Sequence, residues 1–275
     1  MPELPEVETV KNELLPYVTG HCITGITLFW DGMVRYPSVE DFHSGVIGQT
    51  ITGITRRGKY LIFGLSGGNS LIIHLKMTGS LIIRQGSSEL PRFTRVVIHL
   101  DGGMDIVFRD PRKFGVMRLV EDSEGVVGKL GPEPLEAGFT PQVLARRLAN
   151  RKAPIKALLI EQNLVAGIGS MYADEALFAT GIHPTRSGGS LSEAEVECLY
   201  EAIRRILWAA IENKGASVDT YFRPDGSKGT AHFEFKVAHR FHEPCEKCGV
   251  PIERIKVRNR GSYFCPRCQP ELEIK

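Results

Sequence analysis

Apolar positions along the chain recur with two different periods. Between Leu4 and Val18, the residues Val7, Val10, Leu14 and Tyr17 fall three or four apart, which predicts a helix over Leu4–Val18. Beyond it the apolar residues come in short β-rich runs: Cys22–Trp30, Thr50–Arg56, Tyr60–Leu65, Ser70–Leu75, Ser80–Arg84, Arg95–Leu100, Asp105–Phe108 and Gly115–Val120. Glycine-bearing turns such as Ser66-Gly67-Gly68-Asn69 and Asp101-Gly102-Gly103 punctuate them. Many short strands at this spacing predict a sandwich or barrel. Gly131-Pro132-Glu133-Pro134 ends the pattern, so a domain boundary is expected near residue 133. Helical spacing follows over Pro141–Asn150, Ile155–Gln162, Met171–Thr180 and Ser192–Asn213. The last of these pairs Ser192 with Glu195 as a capping box, carries a stripe of Val196, Leu199, Ile203, Leu207 and Ala210, and is closed by Gly215. A loop rich in Gly, Ser and Thr runs from Gly215 to about Thr230, and a small cysteine-bearing hairpin unit closes the chain.

The expected architecture is therefore an α+β multidomain chain. Residues 1–133 form a β-sandwich with a leading helix, residues 134–230 form a helical domain, and residues 231–275 form the cysteine module. Composition adds only bounds. With 275 residues, 42% of them apolar, the chain can build one large or two ordinary cores. It lacks an apolar run of the roughly 18 residues that span a bilayer. The acidic, proline-rich start, Met1-Pro2-Glu3-Leu4-Pro5-Glu6, is not a signal peptide, and a cytoplasmic protein is expected. A net charge of +2 does not mark a nucleic-acid binder. Its distribution says more, because Lys236–Cys268 holds eight Lys/Arg against three Asp/Glu. A basic module on a mildly acidic body can touch phosphate locally.

Cys245-x2-Cys248 is followed by sixteen residues and then Cys265-x2-Cys268. That spacing fits a four-thiolate zinc ribbon, each CxxC knuckle supplying two corners of a tetrahedron. Two disulfides are the other reading, and the missing secretory signal weighs against them. Cys22 and Cys198 belong to no motif and read as structural thiols. Between the knuckles runs Arg254-Ile255-Lys256-Val257-Arg258-Asn259-Arg260-Gly261, a basic hairpin tip. It is either a solvated turn or a finger that grips a phosphate backbone.

Met1-Pro2 is the other chemical signal. A small second residue permits removal of the initiator methionine, which leaves a secondary amine at the new N-terminus. Such an amine attacking a sugar C1′ forms a cationic iminium, an electron sink that acidifies the C2′ proton. An α-amine also has a pKa of roughly 8 against 10.4 for lysine, so more of it is free base at neutral pH. On residue types alone, Pro2 equally well just begins a helix.

Taken in order, the motifs carry a resemblance. The opening Pro2-Glu3-Leu4-Pro5-Glu6-Val7-Glu8-Thr9 is similar to the start of the formamidopyrimidine-DNA glycosylase family. So are Arg57-Gly58-Lys59-Tyr60-Leu61, His74-Leu75-Lys76-Met77-Thr78-Gly79, Asp110-Pro111-Arg112-Lys113-Phe114-Gly115 and Leu130-Gly131-Pro132-Glu133-Pro134. The similarity continues through Gln162-Asn163-Leu164-Val165-Ala166-Gly167-Ile168-Gly169, Tyr172-Ala173-Asp174-Glu175 and the zinc ribbon, and so covers essentially the whole chain. It implies a β-sandwich followed by a helix–two-turn–helix domain and a zinc finger with one structural zinc on Cys245, Cys248, Cys265 and Cys268. It also implies a monomeric repair enzyme acting on damaged double-stranded DNA, removing oxidised purines (formamidopyrimidines and 8-oxoguanine) and then cutting the strand by β- and δ-elimination.

By the same resemblance Pro2 is the Schiff-base nucleophile, Glu3 the proton donor to the ribose ring oxygen, and Lys59 the lysine that assists β-elimination and touches DNA. Arg260 is the finger-tip arginine that grips phosphate and is assigned to δ-elimination. A base inside a duplex must be flipped out to be reached, and Met77, Arg112 and Phe114 match the trio that fills the void it leaves. Lys152 and Lys156 match basic positions that meet phosphate. The chain also departs from its relatives. Ser170 follows Gly169 where asparagine is usual, and Phe93-Thr94-Arg95 replaces a common His-x-His, so a phosphate contact is expected to pass to Arg95. Ala238-His239-Arg240 replaces Tyr-Gly-Arg, and the lesion loop from Ser217 to about Glu234 aligns only loosely. Two other readings stay open: an endonuclease VIII-like enzyme for oxidised pyrimidines, and a zinc-ribbon DNA-binding protein without catalysis.

Overall fold

The computed structural model describes residues 1–86 and 89–271. They form two compact units, residues 1–129 with 213–232, and residues 130–212 with 233 onward. The linear division at 133 and 230 did not anticipate that segment 213–232 packs with the first unit. Residues 233–271, including the cysteine hairpin, pack with the helices of the second unit. Among the described residues no helix is long and apolar enough to cross a membrane.

The first unit opens with α1 (Leu4–Val18), then β1 (Ile23–Leu28), β2 (Val34–Tyr36), α2 (Val39–Val46), β3 (Ile51–Arg57), β4 (Tyr60–Leu65) and β5 (Ser70–His74). It continues with β6 (Ser80–Gln85), β7 (Thr94–Leu100), β8 (Met104–Arg109), β9 (Val116–Val120) and the one-turn α3 (Glu124–Val127). The alternating pattern becomes two sheets, of order β1-β7-β8-β6 and β2-β9-β5-β4-β3. Phe63, Ile73 and Met117 of the second sheet share one core with Ile98, Ile106 and Phe108 of the first and with Val7, Val10, Leu14 and Val18 of α1. The sequence pattern missed β2 and α2. The helix is capped by Ser38, whose Oγ accepts the Asp41 N–H at 3.1 Å, but it buries just Phe42 and Val46, too short a stripe to show a period.

Strand register gathers three connections at one corner of the sandwich. In the first sheet Arg109, at the end of β8, lies opposite Ser80 of β6 and Thr94 of β7. In the second sheet His74 lies opposite both Tyr60 and Val116. The two sheet-crossing segments, 75–79 and 110–115, therefore run side by side, with the β3–β4 turn that carries Lys59 next to them.

The second unit holds α4 (Pro141–Leu148), α5 (Ile155–Leu159), α6 (Ser170–Thr180), α7 (Glu193–Glu212) and the hairpin β10 (Glu253–Val257) and β11 (Arg260–Phe264). The α5–α6 connection is organised by Gln162. Its side-chain amide donates to the carbonyls of Ile160 (2.9 Å) and Ile168 (2.8 Å) and accepts the Gly167 N–H at 3.0 Å.

Candidate active site and metal centre

Pro2 and Glu3 are both buried ahead of α1, which begins on the permissive pair Leu4-Pro5. Glu6 does most to fix them. Its Oε2 accepts the Glu3 N–H at 2.7 Å and its Oε1 accepts the Ala216 N–H at 2.8 Å, so the returning segment 213–232 is tied to the start of the chain. The Tyr221 hydroxyl adds bonds to the carbonyls of Glu6 and Lys214 at 3.4 Å each. Gly215 makes the approach possible: it has a φ of +76°, and a Cβ there would lie 2.9 Å from Glu6 Cγ. Glu6 did not stand out in the sequence. Its signal was an acid three residues into a helix start, the capping-box position.

Lys59 occupies a tight turn in which Gly58, at a φ of 56°, takes the left-handed position. Arg56 braces the turn from below, with Nη1 donating to the Gly58 carbonyl at 3.0 Å and Nε to the Glu8 carboxylate of α1 at 2.7 Å. Lys59 is only 6% exposed, where a hairpin lysine is normally solvated. Its charge also bears on His74. Burial, and then the ammonium charges of Lys76 and Lys59, push the His74 pKa down to about 3. Nδ1 of His74 accepts the Lys76 N–H at 2.9 Å, so the neutral ring carries its proton on Nε2. The ring packs edge-on to Tyr60, with 4.6 Å between centroids. His74 was quoted in a motif but given no role. Lys76, two positions on, was the only local signal, and Lys59 comes near through the β4–β5 pairing.

The trio Met77, Arg112 and Phe114 lies on the two sheet-crossing segments. All three are exposed, Met77 and Phe114 by 40% and 45%, so neither apolar side chain is core packing. They already touch: an Arg112 N–H points at the Met77 sulfur from 3.5 Å, and the guanidinium lies 4.7 Å over the Phe114 ring. Arg95 turns to the protein. Its Nε donates to the Asp110 carbonyl at 2.8 Å and its Nη2 to the Pro111 carbonyl at 3.4 Å.

In the second unit Lys152 is exposed and Lys156 is fully buried. The Lys156 ammonium reaches both Asp174 oxygens, at 2.7 and 2.9 Å, and the Gly261 carbonyl at 2.6 Å. Its charge is used inside the protein, so the expected phosphate contact has no exposed ammonium to make it. Ser170 Oγ donates to the same Gly261 carbonyl at 3.1 Å. Burial raises the Asp174 pKa to about 7. The neighbouring Glu175 carboxylate accepts the backbone N–H groups of Lys236, Val237 and Ala238. Together these bonds dock the finger hairpin on α5 and α6. Its two-residue turn, Arg258-Asn259, has φ values of 43° and 63° and leaves Arg260 exposed at the tip.

The sulfurs of Cys245, Cys248, Cys265 and Cys268 lie within 4.8 Å of one another, and none is disulfide-bonded. Cys245 and Cys268 are 3.8 Å apart, and Cys248 and Cys265 3.4 Å. Metal–sulfur bonds of about 2.3 Å in a tetrahedron separate the sulfurs by about 3.8 Å, so the four thiolates fit one structural zinc ion.

Three family models match the chain: the formamidopyrimidine-DNA glycosylase N-terminal domain over residues 1–117, the H2TH domain of the same enzymes over 130–221, and the zinc finger found in FPG and IleRS over 243–270. A formamidopyrimidine-DNA glycosylase of Symbiobacterium thermophilum is 46% identical, the match covering 99% of this chain and 90% of that one. A Lactococcus lactis FPG mutant in complex with Fapy-dG-containing DNA superposes with a TM-score of 0.92 at 35% identity, covering 98% and 100% of the two chains. The wild-type Lactococcus lactis protein with DNA containing an oxidised pyrimidine gives a TM-score of 0.91 at 35% identity, with the same coverage.

Proposed function

Because this chain belongs to the formamidopyrimidine-DNA glycosylase family, and is a base-excision-repair DNA glycosylase, we propose that it works on damaged double-stranded DNA through the Pro2 amine and also cleaves the strand. The observation that carries this reading is the burial of Pro2, Glu3 and Lys59 within one unit, with α1 joined to the Lys59 turn through Glu8, Arg56 and Gly58. Lys59 is held at 6% exposure in the same unit as the buried Pro2 and Glu3, which supports a catalytic use for it.

With Met1 removed, the Pro2 nitrogen attacks C1′ of the damaged nucleoside. The C1′–N bond to the base breaks, and Glu3 protonates the ribose ring oxygen as the ring opens, leaving an iminium on C1′. Loss of the C2′ proton, assisted by Lys59, lets the electron pair expel the 3′-phosphate. A second elimination releases the 5′-phosphate, with Arg260 on the phosphate as it leaves. Met77, Arg112 and Phe114 fill the gap left by the flipped nucleotide. Zinc supplies no chemistry to these steps: it holds the finger that presents Arg260.

The test compares free and N-terminally blocked Pro2 on abasic DNA, with borohydride trapping of the covalent intermediate. An acylated nitrogen has a delocalised lone pair and cannot attack. The blocked protein should bind but neither trap nor cut, and Pro2→Gly should retain part of the activity. Equal trapping by both forms moves the nucleophile elsewhere, with Lys59 next. A second reading concerns the base removed. An oxidised-pyrimidine duplex sits on a relative of this fold, so a panel of purine and pyrimidine lesions belongs beside the trapping assay.

A further inference from the structure

Asp110 is completely buried at the corner where the two sheet-crossing segments meet the first sheet. Its Oδ2 accepts the N–H groups of Phe114 and Gly115 at 2.7 Å each, and Oδ1 accepts the Arg112 N–H at 3.2 Å. Oδ1 also accepts the hydroxyl of Thr78, the residue after Met77. The carboxylate thus joins the segment bearing Arg112 and Phe114 to the one bearing Met77. The carbonyl side is held as well. Arg95 donates to the carbonyls of Asp110 and Pro111, and the Asp110 N–H donates to the Phe93 carbonyl at 3.0 Å. Both segments are wedged against Phe108. A Cβ on Gly79 would lie 2.8 Å from that ring, and a Cβ on Gly115 2.5 Å from it.

We propose that Thr78, Asp110 and Arg95 are positioning residues. They hold Met77, Arg112 and Phe114 as one preassembled wedge, and this bracing sets how strongly the enzyme discriminates between bases opposite the lesion. The inference rests on the reading that the trio enters the duplex. A guanidinium reads a base edge through hydrogen bonds that fail with small displacements, so its discrimination depends on how firmly the loop beneath it is held. A loose loop would let the guanidinium shift to suit either base, which brings the two rates together.

The test uses Thr78→Val, which keeps the side-chain shape and removes the hydroxyl, with Thr78→Ser as the conservative variant and Arg112→Ala as the control on the wedge. Three quantities are read: the ratio of single-turnover rates on lesion duplexes with cytosine and with adenine opposite, borohydride trapping on an abasic single strand, and Tm. In Thr78→Val the rate ratio should move toward unity by about threefold to tenfold, the loss one net hydrogen bond carries. Single-strand trapping should stay at the wild-type level, and Thr78→Ser should recover the ratio. If Arg112→Ala collapses the ratio and Thr78→Val does not, the brace is wrong and the wedge stands. If Arg112→Ala leaves the ratio intact, the wedge reading falls and takes the brace with it. Single-strand trapping that falls as far as the duplex rates also overturns the proposal, because the loss is then a general one. Should Thr78→Val fold poorly, Arg95→Lys carries the same test: it keeps the charge but cannot bond both carbonyls with one planar fork. An unchanged ratio there overturns the proposal equally.

Discussion

Lys59 and Lys156 are both buried, yet one points to chemistry and the other to architecture. Lys156 lies against both oxygens of Asp174, so removing it leaves a carboxylate in a site with almost no water. Breaking such a pair costs about 3–5 kcal/mol. Asp174 has an escape, since burial already lifts its pKa to about 7 and losing the ammonium lifts it further. Lys156→Met should therefore destabilise the protein more at pH 8, where keeping a proton on Asp174 costs more, than at pH 6. Equal losses in denaturant melts at the two pH values would count against this. His74 works with the opposite sign. Its folded pKa of about 3 lies below the ordinary histidine value of 6.5, so between them the unfolded chain binds more protons and stability drains away as pH falls. His74→Gln should show a shallower loss of stability over that window, and an unchanged slope would place the acid sensitivity elsewhere.

At the scale of elements, the zinc hairpin shows how a weak local structure is held from outside itself. β10 and β11 have five paired residues each, and a two-stranded hairpin of that length is marginal in water. Its turn places Arg258 in the left-handed region, which a β-carbon disfavours. What offsets this is the four-thiolate cluster beneath it, the Phe178–Val237–Ile252 packing around it, and the Lys156 and Ser170 bonds to Gly261. Zinc binding and hairpin folding are thus one equilibrium. Cys265→Ser should lower zinc content and DNA affinity together, read by metal analysis and by titration with a lesion duplex. Full affinity in a zinc-free preparation would separate the two.

Over the whole molecule a charge of +2 conceals an uneven distribution, eight cations against three anions in Lys236–Cys268. Phosphate contacts release counterions, so each one adds about −0.9 to the slope of log affinity against log salt. Lys152→Ala, which removes an exposed charge, should flatten that slope by about one contact. Lys156→Met, measured where it is folded, should leave the slope alone because its charge is already neutralised by Asp174. Equal changes in the two variants would mean that Lys156 reaches the duplex after all.

What the sequence determined by itself follows from short-range physics. Periodicity fixes whether a segment is helix or strand, so α1 runs over Leu4–Val18 as read and each expected strand run has its strand. Ligand spacing within a knuckle is set by a few covalent links, so the zinc cysteines were legible as well. Motif resemblance supplied Pro2, Glu3, Lys59, Met77, Arg112 and Phe114 as candidates. The partners of these residues were not legible. Asp110 meets Thr78 across 32 positions and Glu6 meets Ala216 across 210. Nothing local to Lys156 tells of Asp174 or Gly261, and nothing local to Arg95 tells of the two carbonyls it takes. Hydrogen-bond partners far apart in sequence are chosen by strand register and chain return, which exist only once the core has formed. Residue type told which groups can do chemistry here. Tertiary packing decided which of them face solvent, which are spent holding the others in place, and that segment 213–232 returns to the unit that carries Pro2.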